Sequence, residues 1–252
     1  MISIVVPTYN EKDNIAPLLN RIHSALGKIE HQVIFVDDSN DETPEVISEI
    51  AKTDTTVMLH HRVGEKGLAT AVVKGFSLAT GDFVACMDAD LQHPPEVLVD
   101  MYAAMLAGAD MAIPSRFIPG GSDGGLNLWR KFVSGTARYI GKILLPCLRK
   151  ITDPTSGLFM IKRSLLKDAK LNPIGWKIMI EVLAMCQVKK VLETPYVFHD
   201  RENGESKLST KVTLQYLKQV FHLTTHAANK AKKMQIVRWS PERLAKEKDK
   251  LL

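Results

Sequence analysis

Ile2-Ser-Ile-Val-Val-Pro7 leads into Asp13 to Leu26 and then into Gln32-Val-Ile-Phe-Val-Asp37. The first and last of these are short apolar runs, and between them Ile15, Leu18, Leu19, Ile22 and Leu26 recur at helical spacing. The order is therefore strand, helix, strand. Outward from this unit the alternation continues, with helices predicted at Pro44 to Lys52, Lys66 to Ala79 and Pro95 to Leu106, and strands at Val57 to His60, Phe83 to Asp88 and Ala109 to Ser115. Repeated units of this length imply a Rossmann-like α/β fold, a mixed and mostly parallel sheet flanked by helices. In such sheets the chemistry lies beyond the carboxyl ends of the strands.

After Arg116 the pattern changes. Phe117 to Asn127 holds four glycines and a proline, which reads as a mobile loop, a lid over the site. From Leu128 to about Leu145, Val133, Ala137, Ile140 and Leu144 share one helical face while Lys131, Arg138 and Lys142 lie on another. Such a basic amphipathic helix suits a lipid surface or packing against the sheet. A strand (Gly157 to Lys162), a helix (Ile174 to Gln187), a strand (Lys189 to Phe198), a polar loop (Asp200 to Leu208) and a long helix from Ser209 to about Met234 follow. The reading divides the chain into a catalytic domain at 1–208 and a C-terminal amphipathic helix with a basic tail at 209–252.

Composition narrows the class. A chain of 252 residues, 45% hydrophobic and 24% charged, excludes a disordered tail protein. There is no uninterrupted apolar run of ~18 residues to cross a bilayer. The first strand starts at once, without a basic leader, so the expectation is a cytosolic protein. Cys86, Cys147 and Cys186 form no C-x-x-C pair and sit in apolar surroundings, which points to buried thiols. From Asn229 to Leu252 there are eight basic residues against three acidic ones, enough to account for the whole net charge of +5. A basic end attracts an anionic membrane or a nucleic acid, but here it lacks interleaved aromatics apart from Trp239, which argues against nucleic acid.

The chemistry sits at strand ends. Phe83-Val-Ala-Cys-Met-Asp88 runs into Ala89-Asp90-Leu-Gln92. Alternation in an extended backbone points Asp88 and Asp90 the same way, and two such carboxylates call for a cation between or near them. Mg²⁺ or Mn²⁺ is the simplest occupant, with the Gln92 amide oxygen as a neutral ligand and a diphosphate as the implied guest. Pro7-Thr-Tyr-Asn-Glu11 and Val36-Asp37-Asp38-Ser39 bring further acids to neighbouring strand ends, suited to a nucleobase or ribose. Neither G-x-G-x-x-G nor a P-loop is present, so the phosphates fall to metal and arginine. The cationic candidates are Arg116, Arg130, Arg201 and Lys207.

Six stretches in order carry a resemblance: Pro7 to Glu11, Val36 to Asp38, Met87-Asp-Ala-Asp-Leu-Gln-His-Pro-Pro-Glu96, Ser115-Arg116, Asp153-Pro-Thr-Ser-Gly157, and Asp200-Arg-Glu-Asn-Gly-Glu-Ser-Lys207. Over Ile2 to Lys207 the chain resembles family 2 glycosyltransferases of the GT-A fold, most closely the dolichyl (polyprenyl) phosphate mannose synthases. The resemblance implies metal-dependent transfer of mannose from GDP-mannose to a polyprenyl phosphate, with inversion. By motif matching it also implies that Pro7, Tyr9, Glu11, Val36, Asp38, Asp88, Ala89, Asp90, Arg116, Arg201 and Lys207 bind the nucleotide sugar. Asp90 and Gln92 would hold the metal, and Asp88, Asp90, Arg116, Arg130 and Arg201 would act in catalysis. Some members carry membrane helices after this point. This sequence resembles the short form, which implies small membrane-anchoring subunits or peripheral attachment on the cytosolic face, of the endoplasmic reticulum in a eukaryote.

The mechanism follows without the family. A phosphate monoester has a second pKa near ~6, so the acceptor is already an ionised nucleophile and needs no strong base. Two anions must instead be brought together and the departing diphosphate stabilised. Two rivals stand beside this reading, UDP-glucose as donor and a non-catalytic sugar-nucleotide-binding protein.

Overall fold

The computed structural model describes residues 1–125, 128–198, 210–227 and 234–251, with backbone alone at 128–134 and 210–213. In β1 (Ile2–Thr8) every residue is buried. Strand alternation sends Ile2, Ile4 and Val6 to one face of the sheet and Val5 to the other. Because both faces are covered, the strands read as continuous apolar runs. Helix α1 (Lys12–Leu26) buries Ile15, Leu18, Leu19, Ile22 and Leu26, the periodic set of the sequence. The chain proceeds through β2 (His31–Asp37), α2 (Thr43–Ala51), β3 (Val57–His61), α3 (Leu68–Leu78), β4 (Phe83–Cys86), α4 (Val97–Leu106) and β5 (Met111–Ser115). After these come α5 (Leu128–Leu144), β6 (Phe159–Lys162), α6 (Arg163–Lys167), α7 (Ile178–Met185), β7 (Lys190–Pro195), α8 (Thr210–His226), β8 (Gln235–Arg238) and α9 (Pro241–Lys248).

The eight described strands form one sheet in the order β3-β2-β1-β4-β6-β5-β7-β8. All neighbours are parallel except β6, which runs antiparallel to β4 and β5. The mixed, mostly parallel sheet flanked by helices is the predicted one. Strand order reverses between β1 and β4, so a cleft opens where their carboxyl ends diverge.

Three segments depart from the sequence reading. Residues 117–125 are tied down where a lid was expected: Ser122 pairs with Val197, its N–H donates to Tyr196 O at 3.0 Å, and its carbonyl accepts from Phe198 N at 3.0 Å. Glycine here serves close approach, since a Cβ on Gly121 would lie 2.4 Å from Ser115 O. The strand before the acidic motif ends at Cys86, two residues ahead of Asp88. The segment read as a basic tail also folds: β8 extends the sheet alongside β7, Trp239 is buried, and α9 docks on α4 through the Lys248 to Asp100 ion pair at 2.7 Å.

Candidate active site

At the end of β1 the chain turns at Asn10 (φ 57), where Asn10 N donates to Ser39 Oγ at 2.8 Å and Glu11 N to Thr43 Oγ1 at 3.0 Å. These bonds lock the β1 and β2 ends together. Pro7 and Val36 are register partners, both buried. Tyr9 stays open, 37% exposed, with Lys66 Nζ 5.3 Å from its ring centroid. Glu11 accepts from Asn14 Nδ2 at 2.7 Å.

Of the two acids closing β2, Asp37 is fully buried and accepts from Thr8 Oγ1 and His61 Nδ1, each at 2.7 Å. Asp38 is gripped by Arg62, whose Nε and Nη2 donate to its two oxygens at 2.7 and 2.6 Å, and it also accepts from Gly67 N at 2.9 Å. A bidentate guanidinium fixes a carboxylate in plane and leaves only part of its accepting capacity for a ligand. Arg62 also donates to Gly67 O and Thr70 Oγ1, so one side chain sets both Asp38 and the turn into α3. The sequence reading missed Arg62, although an acid at this strand end already called for a positive partner.

On the β4 side, Asp88 is one-third exposed and Asp90 8% exposed. The backbone leaves the strand before them and passes through Leu91 at φ 59, so plain alternation does not set their directions. Asp90 instead accepts from Gln92 N at 3.2 Å, an Asx turn that orients its carboxylate. His93 is the common neighbour: its Nδ1 lies 3.8 Å from Asp88 Oδ2, and its pKa feels Asp90. Packed between the rings of Tyr196 and Phe198, His93 is neutral, its pKa pushed by burial from the ordinary 6.5 down to about 4. Among the described residues no three His, Cys, Asp or Glu converge. Asp90 and Gln92 supply hard oxygens of the type Mg²⁺ or Mn²⁺ takes while keeping water and phosphate for the rest.

Arg116, at the end of β5, forms a bidentate pair with the buried Asp153 at 2.7 and 2.9 Å, its guanidinium against the Phe198 and Phe117 rings. Burial works against the charge on Arg116, but Asp153 outweighs it and holds the guanidinium pKa above its ordinary value. Asp153 opens the loop to Gly157, and that glycine abuts Asp88. Lys177, just ahead of α7, donates to Thr155 O in the same loop at 2.8 Å. Burial and Arg116 lower its pKa, while Asp88 and Asp153 raise it. Lys177 and Tyr196 were missed because they lie in a predicted helix and a predicted strand, outside the six motif stretches. Arg201 and Lys207 lie outside the described residues, as does the side chain of Arg130 on α5. Further along α5, the Lys142 pKa is lowered by burial first and then by Arg138, with Glu193 opposing. Arg138 on the same helix lies over the Phe117 ring, 4.1 Å from its centroid, which brings this part of α5 beside Arg116.

A strand-order reversal bordered by Asp88 and Asp90 after β4 and by the partly buried cations Arg116 and Lys177 suits a polyanionic ligand with its metal. The family model for glycosyl transferase family 2 matches residues 3–169, well over half of the chain. The chain belongs to glycosyl transferase family 2. Among related members of this glycosyltransferase family, the dolichol-phosphate mannosyltransferase of Pyrococcus furiosus is 41% identical over 223 residues. That match covers 88% of this chain and 63% of the relative, so the chain spans less than two thirds of that protein's length. The Saccharomyces cerevisiae dolichol-phosphate mannosyltransferase is 36% identical over 88% of this chain and 86% of its own. The polyprenol monophosphomannose synthase of Mycolicibacterium smegmatis is 35% identical over 82% and 80%. Among solved structures, glucosyl-3-phosphoglycerate synthase of Mycobacterium tuberculosis in complex with UDP superposes with a TM-score of 0.67 at 19% identity, covering 91% of this chain and 82% of that one. The fold is GT-A.

Proposed function

We propose that this glycosyltransferase moves mannose from GDP-mannose to a dolichyl or polyprenyl phosphate with inversion at the anomeric carbon. The observation that carries the reading is that Asp88, Asp90 and the largely buried Arg116 all lie around His93 near the switch point, in a chain whose relatives are named for this product. An acceptor phosphate oxygen attacks the anomeric carbon. As that C–O bond forms, the bond from the sugar to GDP breaks and the electron pair leaves with the diphosphate. No proton must be removed from the nucleophile, because a phosphate monoester is already largely ionised near pH 7.

The residues have distinct tasks. Tyr9 offers a ring to the nucleobase, and Glu11, the clamped Asp38, and Pro7 and Val36 beside them border the nucleoside. Asp88 and Ala89 flank the diphosphate. Asp90 and Gln92 would hold Mg²⁺ or Mn²⁺, which when bound neutralises charge on the departing diphosphate. Asp153 preorients Arg116 so that its remaining N–H groups face a phosphoryl oxygen without reorganisation. Arg130, Arg201 and Lys207 complete the cationic set for the acceptor and donor phosphates.

The acceptor is a lipid, which motivates the remaining part of the reading. No described helix is long and apolar enough to cross a membrane. Instead α5 and α8 carry exposed apolar side chains: Tyr139 and Ile143 on the first, Leu214, Leu217 and Phe221 on the second. With Arg138 and Lys142 alongside, this face suits peripheral docking on a cytosolic membrane surface, that of the endoplasmic reticulum in a eukaryote, with or without small anchoring subunits. Purified protein incubated with GDP-mannose or UDP-glucose, a polyprenyl phosphate and Mg²⁺ or Mn²⁺ tests the reaction. Mass spectrometry of the lipid should find a mannosyl phosphodiester, lost on chelation. A glucosyl product, or none, overturns the proposal.

A further inference from the structure

We propose that His61 is a positioning residue for the nucleoside end of the site: acting through the buried Asp37, it fixes the turn that presents Tyr9. The role rests on the nucleotide-donor reading above. The carboxyl end of β3 supplies adjacent partners to adjacent acids, since Arg62 grips Asp38 while His61 Nδ1 donates to Asp37 Oδ2 at 2.7 Å. Register sets this pairing, Asp37 and His61 being opposite one another in the β2–β3 ladder. Asp37 has no exposed surface. No ligand reaches it, so its carboxylate acts on the protein alone.

A chain of hydrogen bonds runs from Asp37 to the nucleoside wall. Its Oδ1 accepts from Thr8 Oγ1 at 2.7 Å and from Ser39 Oγ at 2.5 Å, and Ser39 Oγ in turn accepts from Asn10 N at 2.8 Å. Asn10 Oδ1 accepts from Asn40 N at 3.0 Å, and Asn40 Nδ2 reaches Tyr9 Oη at 3.4 Å. Asn10 itself sits at φ 57, a left-handed conformation that costs a residue with a side chain free energy and persists only where its surroundings hold it. What holds it depends on how the Asp37 carboxylate is turned. Without the imidazole, Oδ2 keeps Ser39 N at 3.2 Å, too little for a carboxylate oxygen withdrawn from water. The carboxylate is then free to turn, Ser39 Oγ loses its fixed acceptor, and the grip on Asn10 and Tyr9 slackens. The His61 side chain is 32% exposed, so it forms the outer end of the chain and its removal leaves the core of β1 and β2 in place.

A purely structural bond would staple β2 to β3 without regard to the ligand. Three variants separate the two roles: His61→Asn keeps an N–H at the position of Nδ1, His61→Leu keeps bulk without a donor, and Ser39→Ala cuts the chain one step further on. Each is titrated calorimetrically, in the presence of Mg²⁺, with GDP and with inorganic pyrophosphate, which has no nucleoside to meet Tyr9. The expected result is GDP binding about tenfold weaker in His61→Leu and in Ser39→Ala, pyrophosphate affinity unchanged, and GDP affinity within about twofold of wild type in His61→Asn. KM for GDP-mannose should rise in step while kcat holds, the signature of lost uniform binding. Combining His61→Leu with Ser39→Ala should cost no more than either alone, because the two lie on one path, and additive losses would overturn the proposal. Wild-type GDP affinity in His61→Leu also overturns it, as does an equal loss for pyrophosphate, which would make the bond a general support of the fold. Should His61→Leu fail to fold, His61→Gln, whose amide lies one methylene farther out, carries the same expectation. The wild-type protein is titrated first with GDP and with UDP. Binding of UDP in place of GDP overturns the donor assignment, and the variants are then compared with UDP, so the two readings fail separately.

Discussion

At Gly157 an added Cβ would lie 2.7 Å from Asp88 Oδ2 and 3.3 Å from its Cγ. The absence of a side chain is thus what lets the loop 153–157 close against the carboxylate. Asp88 ends in a movable group, so Gly157→Ala should push the carboxylate aside while the fold persists. We expect kcat/KM to fall at least about tenfold, equivalent to ~1.4 kcal/mol of transition-state stabilisation, with stability lowered by less. Unchanged kinetics would mean that Asp88 has no fixed place in the reaction. Spacing beyond a strand drew attention to the acids at 88 and 90, and position after another strand to Arg116, although the strand alternation that was to aim the two acids together stops at Cys86. What holds them was not. Arg62 on Asp38, Asp153 on Arg116 and Lys177 on Thr155 are contacts between residues far apart in the chain, and no spacing rule reaches that far.

At the level of elements, long periodic helices and apolar strands were readable because burial on both faces leaves a continuous apolar signal. The C-terminal strand and helix left weaker marks. β8 is only Gln-Ile-Val-Arg, and its strand state comes from pairing with β7. Helix α9 did carry a start signal, Ser240 accepting from Arg243 N with Pro241 at the first turn, but the run of lysines drew the reading toward a solvated tail. Trp239, between the two elements, is 2% exposed and packs in the core cluster of α1 and α4. Trp239→Ala should therefore destabilise the whole protein by ~3–5 kcal/mol in denaturant unfolding, the cost of emptying a large core site. A cost below about 1 kcal/mol would return this segment to the status of an appendage.

For the whole molecule, the folding of that segment also redistributes the charge that first suggested an anionic partner. Arg238 is paired with Glu193, Lys248 with Asp100 and Lys250 with Glu247, while Arg243 lies over the Trp239 ring. Three of the segment's eight basic residues thus sit in ion pairs and Lys230, Lys232 and Lys233 lie outside the described residues, so the described part of the segment offers no dense basic patch to a membrane. The apolar face is the better candidate. Ile143 on α5 and Phe221 on α8 are 69% and 73% exposed, on two helices that touch through Tyr216 Oη donating to Ala137 O. Transferring such side chains out of water contributes ~1.5–3 kcal/mol each when burial is complete. Both are already exposed, so replacing them with aspartate costs the fold little. The double variant Ile143→Asp with Phe221→Asp should partition at least about tenfold less to phosphatidylcholine vesicles in sedimentation. It should slow transfer to a long polyprenyl phosphate embedded in them, yet keep wild-type turnover with a short-chain acceptor in solution. Neutral vesicles are the deciding choice, because charge cannot attract the protein to them. Unaltered partitioning there would move the docking surface away from α5 and α8.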